Sequence, residues 1–450
     1  SDAKVNVRLM DSGRIDGNVD GTVDSVGLMH YYYRNITVNG KFTQNSFNGI
    51  LAIKDPHLDI DFLGSVDVSG AGRYNFDLDV NHADLHATHI LTDSVDKLKF
   101  GLSARMTGNS PDNINGTVRM SSPLEFEKDS KILKLKHLSL DAYIDYYISS
   151  IPTRRMVLRS DFVDADFEGR LLTSQVAAIL SNFVYVVFPS LDYKGESEVR
   201  TRRRPSRPGV IDYNNPDFKQ YLGNRFEFAL KFKEMDRLTN FIMPELRVSN
   251  NTVINGGFNT RQRNSWVNLR TDHLAYQDYN IDSLNVMARI FDDNFEFNMH
   301  SDTVVIGDNM KLKQPSFDVL ANNDTASFSF VWDNSSELRN EGTLTGNFVV
   351  APHEIEGHFP LLKTEFYQSM FYVMGAKWDI PHSSITVDSN AVSIKDFLLR
   401  NGRQLLAING NISDSPDDKV NVELQDFDLS LFNYFIGNNS ISGHSTGHVS

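Results

Sequence analysis

Cysteine is absent from all 450 residues, which excludes disulfides and thiolate metal sites. That absence suits an extracytoplasmic bacterial protein. No stretch reaches the roughly 20 apolar residues a spanning helix needs; the longest candidate, 176–188, contains Ser181 and Asn182 and stops at Pro189. An excess of basic charge is missing too. The formal net charge of −14 argues against nucleic acid as a partner and favours solubility. Helical periodicity is scarce: 172–188, ended by Pro189, is the best candidate, and 235–243, before Pro244, is a shorter one. Residues 361–374 read equally as helix or as aromatic-rich strand. No strict 40-residue period appears, which disfavours a propeller.

What the chain does have is alternation. A hydrophobic fraction of 40% against 23% charged residues excludes a wholly disordered chain. Leu58, Ile60 and Phe62 oppose Asp59 and Asp61; Tyr74, Phe76, Leu78 and Val80 oppose Asn75, Asp77 and Asp79. Leu98, Phe100, Leu102, Ala104 and Met106 oppose Lys97, Lys99 and Arg105, and Val420, Val422 and Leu424 oppose Asn421, Glu423 and Gln425. This is antiparallel sheet with one dry face and one wet face. Leu133 and Leu135 are out of phase with Leu138 and Leu140, which predicts a bulge near Lys136-His137.

A short unit, apolar-polar-glycine, recurs inside these strands as Val38-Asn39-Gly40, Phe47-Asn48-Gly49, Ile114-Asn115-Gly116, Ile254-Asn255-Gly256 and Ile408-Asn409-Gly410. Variants are Ile15-Asp16-Gly17, Leu344-Thr345-Gly346 and Ile441-Ser442-Gly443. Asn-Gly ordinarily marks a hairpin turn, but here the phase runs straight through: Ile36, Val38, Gly40 and Phe42 share one parity. The glycines therefore lie on the oily face, where they remove bulk from a sheet that must curl tightly. Phe47-Asn48-Gly49-Ile50 is ambiguous, being apolar on both sides.

The chemistry-bearing patterns have simpler readings. Asp16, Asn18, Asp20 and Gly21 imitate the start of a calcium loop, yet Gly27 stands where its last carboxylate belongs. His82, Asp84 and His86 share a strand parity without a third convergent ligand, and His444 and His448 would need a helix that Gly443 and Gly447 oppose. The pairs Asp59/Asp61, Asp77/Asp79 and Asp164/Asp166 alternate with oily neighbours, as a solvated face does. No nucleophile motif or phosphate loop appears, so neither an enzyme nor a cofactor is argued from these residues.

Coverage is the physical problem: many oily strand faces and little helix to hide them. A sandwich, a closed barrel or a sheet folded on itself as a trough would each solve it. The glycine placement favours strong curvature, and the missing blade or sandwich punctuation favours the trough, whose opening suits acyl chains. Residues 1–191 form one segment ending in a helix and 216–450 a second. Between them 192–215, with Arg200, Arg202, Arg203, Arg204 and Arg207, reads as a basic linker. On the helix, Val176, Ile179, Leu180, Phe183, Val186 and Val187 form a stripe suited to packing on the sheet or capping the trough. Both ends of the chain read as cuts through a longer protein.

Several stretches carry a resemblance. They are Asn35-Ile36-Thr37-Val38-Asn39-Gly40, Phe47-Asn48-Gly49-Ile50-Leu51, 55–62, 160–169, and Gln404-Leu405-Leu406-Ala407-Ile408-Asn409-Gly410 followed by 420–430, which holds Asp426-Phe427-Asp428-Leu429-Ser430. Together they resemble the TamB/AsmA-like family in its Bacteroidota branch. The resemblance implies an envelope protein of the periplasm, anchored in the inner membrane through a segment outside this chain. It implies an all-β, elongated, strongly curved antiparallel sheet forming a hydrophobic groove (a β-taco) with one or two short helices. It also implies phospholipid transport between inner and outer membrane. The alternative role is outer-membrane protein assembly beside an Omp85-class, TamA-like barrel, by templating client strands. The expected groove lining, in contact with phospholipid acyl chains, comprises Val38, Phe42, Leu58, Ile60, Phe62, Phe76, Leu78, Phe100, Leu102, Ile114, Val118, Ile254, Phe258, Ile408, Ile412, Val422 and Leu424.

Overall fold

The structure, a computed structural model, describes residues 2–9, 15–90, 95–128, 131–145, 152–192, 223–307, 310–333, 339–354, 358–373, 375–434 and 441–449. It is nearly all β, 68% strand and 8% helical, with its ladders antiparallel. The arginine-rich stretch 193–215 and Met374 lie outside the described residues.

Contacts divide the chain into two interleaved units, 1–173 with 226–244, and 174–225 with 245–450. The division differs from the one composition suggests. The helix expected to end the first segment belongs with the second unit, because its apolar stripe is buried there, while a later strand and helix return to the first unit.

In the first unit the strands are β1 (Asp2–Leu9), β2 (Ile15–Leu28), β3 (Tyr31–Thr43), β4 (Ser46–Asp55), β5 (Leu58–Asp67), β6 (Arg73–Ala83), β7 (Val95–Thr107), β8 (Asn115–Lys128), β9 (Lys131–Leu135), β10 (Leu138–Asp145), β11 (Thr153–Ser160) and β12 (Val163–Arg170). From β1 to β8 the sheet is a plain meander, each strand bonded to the one before it. β8 then carries two partners, β10 along its first half and β9 along its second. The expected bulge at Lys136-His137 is the break between those two partners. Along β13 (Arg225–Phe232) Phe226 stacks on Phe167 at 6.3 Å.

The helix that follows, Met235–Ile242, buries Met235 and Thr239 and ends two residues before Pro244. In this first unit Phe241 meets Phe126 edge-on at 5.4 Å, and the Arg237 guanidinium lies 5.5 Å from the centre of the Phe162 ring.

The second unit opens with the longer helix, α1 (Val176–Val187), and the helix Met235–Ile242 is hereafter α2. Its strands are β14 (Leu246–Val248), β15 (Val253–Asn259), β16 (Asn264–Tyr276), β17 (Tyr279–Phe291), β18 (Asn294–His300), β19 (Thr303–Ile306), β20 (Met310–Lys313), β21 (Ser316–Asn322), β22 (Thr325–Trp332) and β23 (Gly342–Ala351). Then follow β24 (Leu361–Phe366), β25 (Ser369–Val373), β26 (Ala376–Ile380), β27 (Ser383–Val387), β28 (Ala391–Asn401), β29 (Gln404–Ser413), β30 (Val420–Asp428) and β31 (His444–Val449). The ambiguous 361–374 is thus strand, in two pieces.

Forks recur in this unit. β16 carries β15 and β14, β17 carries β18 and β19, β23 carries β24 and β25, and β28 carries β27 and β26. At each fork a buried hydroxyl replaces the interrupted ladder. Ser301 Oγ, between β18 and β19, donates to Asp282 O (2.6 Å) or Thr303 O (3.0 Å). Ser383 Oγ, at the start of β27, lies 3.1 Å from Pro381 O and 3.0 Å from Asp396 O. Opposite these breaks the continuous strands pass through left-handed residues, Ser283 (φ 54°) in β17 and Asp396 (φ 53°) in β28, and at the second the register with β29 shifts between Ile394 and Phe397 as a bulge. Such bulges bend a strand and raise its twist.

Candidate functional site

The Asn-Gly units at 39–40, 48–49, 115–116, 255–256 and 409–410 all lie inside strands, as their phase predicts. The variant 441–443 does not; it precedes β31. Because side chains alternate along a strand, register turns each parity into rows that cross the sheet. In the first unit one row reads Val38, Leu51, Phe62, Leu78, Leu102, Met120 from β3 to β8. Beside it runs Gly40, Gly49, Gly64, Phe76, Ala104, Val118, then Leu140, Leu158 and Ala165. A third comprises Ile36, Ile53, Ile60, Val80 and Phe100.

The three glycines in register make a notch. A Cβ on Gly49 would stand 2.5 Å from the Cα of Gly40, so the two backbones approach too closely for side chains. Gly64 adds a φ of 138°, which L-residues seldom adopt. Rings flank the notch: Phe47 and Phe62 lie 5.9 Å apart, Phe62 and Phe76 5.4 Å. Phe47 faces this oily side with Gly49, which resolves its ambiguity; Ile50 is on the other face, 50% exposed.

The opposite face is held by cross-strand ion pairs. Lys54 Nζ meets Asp59 at 2.7 Å and Asp61 at 2.8 Å; Arg105 meets Asp77 at 2.7 Å, Arg159 meets Asp166 at 2.9 Å and Lys233 meets Asp164 at 2.8 Å. The Lys54 ammonium, helped by the Asn81 amide, holds the Asp59 carboxyl below the usual carboxylate range although burial pushes it up. Each acidic pair considered for acid–base work therefore has a member committed to a cation. Asp16, Asn18 and Asp20 lie along extended β2. Asp84 is a turn cap, accepting from Ala87 N–H at 2.8 Å, so it leaves the strand that holds His82.

In the second unit, three rows cross β15 to β23. Ile254, Leu269, Val286, Met299, Phe317, Phe330 and Leu344 form one; Gly256, Val267, Ala288, Phe297, Val319, Phe328 and Gly346 form the next. The third is Phe258, Ser265, Ile290, Phe295, Ala321, Ala326 and Phe348, and it continues as Thr364, Ile385, Ile394, Gly410 and Val420 to β30. Rings mark the middle of the face: Phe297–Phe317 at 5.9 Å, Phe317–Phe330 at 6.3 Å, Phe330–Trp332 at 5.2 Å and Trp332–Phe371 at 6.0 Å.

α1 covers the third row. Val187 packs on Ala321 and Ala326, with Phe188, Ile290, Phe295, Val319 and Phe348 around them, and Phe183 lies 6.2 Å from Phe258. Ser190 docks the end of the helix, donating to Asp324 from N–H (2.8 Å) and Oγ (2.9 Å). Ile179, Phe183, Val186 and Val187 are buried while Leu180 is 48% exposed. The stripe packs on the sheet.

Register places the expected lining residues as follows. Val38, Phe62, Leu78 and Leu102 share the first row of the first unit, Phe76 and Val118 the glycine row, and Ile60 and Phe100 the third; Phe42 pairs with Phe47 beside the glycines, and Ile114 stands just before β8. Two depart from an accessible lining. Leu58 is sealed in a cluster with Tyr33, Val80 and Ala83, against which Leu85 packs from the 84–90 turn. Phe258 is buried beneath α1.

Ile254 heads the first row of the second unit. Ile408, Val422 and Leu424 pack around Trp378, Leu406 and Phe427, the last fully buried near the end of the strand singled out by its Asp-Phe-Asp sequence. Ile412 is 54% exposed. Leu269, Val286, Phe297, Phe317, Phe328 and Phe330 were not among the expected residues, although 295–299 and 328–332 alternate legibly.

The state of these faces is neither sealed nor bare. Of 30 phenylalanines, Phe162, Phe183, Phe258 and Phe427 are the buried ones among the described residues. In a conventional core far more would be enclosed. No protein family, no curated protein and no solved structure matches this chain.

Proposed function

We propose that the chain is part of a periplasmic conduit that carries phospholipid between the inner and outer membranes. Acyl chains slide along the apolar faces of the two units while headgroups stay wet. The observation that carries this reading is the set of cross-strand rows, apolar without a break for nine strands in the first unit from Gly40 to Ala165, where the side chains are mostly half-buried. At roughly 0.8 kcal/mol per CH₂ withdrawn from water, partial shielding along such a row greatly lowers the cost of moving a lipid through an aqueous space. The rows offer many similar contacts in succession, which suits movement better than capture.

The resemblance supplies the location, the inner-membrane anchor outside this chain and an Omp85-class outer-membrane partner. Native mass spectrometry of the purified chain tests the reading, with co-purified phospholipid expected. Leu102→Asp, in the middle of its row, is expected to abolish co-purification and lipid traffic in cells, and Lys99→Asp on the polar side to leave both intact. Normal traffic with a stably folded Leu102→Asp protein would overturn the reading. Crosslinks from strand edges to client strands, without lipid, would replace it with strand-templated assembly.

A further inference from the structure

The polar face of the second unit carries a concavity that lipid transport does not use. It has a volume of about 500 Å³ and lies across β15, β16, β17, β18 and β21, within the size range of small-ligand sites. Its floor is two adjacent rows of one parity. The first is Asn255, Asn268, Met287, Asn298, Asp318; the second is Val253, Arg270, Asn285, His300, Ser316. Leu269, Val286 and Met299 also line the concavity, but strand alternation turns their side chains toward the apolar rows, so the two floor rows and the apolar rows occupy opposite faces of the sheet.

Three features define what fits. Four asparagines line the site, and three are held in place: Asn268 Nδ2 donates to Asn255 Oδ1 at 3.1 Å, and Asn298 Nδ2 to Asp318 Oδ1 at 2.7 Å. Each pair retains further donor and acceptor capacity, the combination that recognises neighbouring hydroxyls. Second, Arg270 makes no ion pair among the described residues, whereas Arg289 on β17 is paired with Glu296. Register puts Asn285 between Arg270 and His300, so one cation and one imidazole flank a single amide. Third, Met287 and Val253 give the floor apolar surface for C–H groups.

We propose that this concavity binds a short acidic saccharide, its hydroxyls taken by the asparagines and its carboxylate by Arg270. A guanidinium grips a planar carboxylate through two parallel N–H bonds, which a neutral sugar cannot use.

Calorimetric titration of the whole chain with tri-galacturonate and, separately, maltotriose tests this. Saturable binding of tri-galacturonate is expected, weakened at least tenfold in Arg270→Gln and in Asn298→Leu, with maltotriose weaker by a similar factor. Phe317→Asp, on the other face, is expected to leave that affinity unchanged, which separates this site from the lipid reading. Circular dichroism confirms that each variant is folded. No binding of tri-galacturonate at millimolar concentration, equal binding by Arg270→Gln, or equal affinity for maltotriose would each overturn the proposal.

Discussion

Gly49 and Gly64 are partners across the β4–β5 ladder, and a Cβ on either would meet the strand on its other side, Gly40 of β3 for Gly49 and Phe76 of β6 for Gly64. Replacing either puts a methyl group into backbone. For Gly64→Ala the Cβ would lie 2.5 Å from Phe76 Cα at a φ of 138°, and a loss of about 2–4 kcal/mol is expected. Gly49→Ala is expected to cost about 1–3 kcal/mol, from crowding alone. Denaturant melts of the two variants check both values and their order.

α1 is held by a few large side chains. Phe183→Ala removes the ring beside Phe258 and is expected to cost about 3–5 kcal/mol. It should also uncover Ile290, Phe295 and Ala326, so binding of a hydrophobic dye should rise along with the loss of stability. Unchanged dye binding would mean that the helix does not shield that row.

A pH dependence follows from Tyr31 and Asp55, whose Oη and Oδ1 are 2.6 Å apart. Burial pushes the Tyr31 phenol up, helped by its hydrogen bond to Asp55, to about 12. Burial also pushes Asp55 up, but bonds from Tyr31 O–H and from the His57 and Arg34 N–H groups outweigh it, leaving the carboxyl below its ordinary value. The raised phenol gives stability that is complete below about pH 10 and fades as pH climbs toward 12. The lowered carboxyl gives stability that is complete above about pH 4 and fades as pH falls further. Thermal melts of Tyr31→Phe across pH should lose the alkaline decline belonging to this residue and show a weaker acid limb.

The fork hydroxyls are expected to be structural. Ser383→Ala leaves Pro381 O and Asp396 O without that donor in a fully buried corner, at a cost of about 1–3 kcal/mol. Hydrogen exchange should quicken locally, at Asp396 N–H, which donates to Asn409 Oδ1 at 2.5 Å. Global exchange without local change would contradict this assignment.

Strand content and the facing of each strand were legible because alternation is a local property: Phe76, Leu78, Phe100 and Leu102 reveal their side by parity. Reading the Asn-Gly units as strand interior succeeded for the same reason. Row alignment was not legible, since it depends on hairpin geometry. Asp292-Asp293 and Asn323-Asp324 are recognisable turn pairs with positive φ, but Met29 and His30 adopt φ of 52° and 65° without any such signal.

The forks were hidden because one buried serine among many solvent-facing ones leaves no mark in composition. The cover over Phe258 comes from a helix about 80 residues earlier in the chain, a distance no local pattern spans. The chemistry of the concavity was invisible for a related reason: Arg270, Asn298 and Asp318 meet only after three ladders are in register.

From β1 to β8 every strand is zipped to its immediate predecessor. A hairpin inserted into or deleted from such a meander would disturb only the ladder at the junction, so the reach of the oily surface is a counted quantity, lengthened or shortened in steps of two strands. Evolution could lengthen or shorten this apolar face a hairpin at a time, with only the strands at the junction needing new partners.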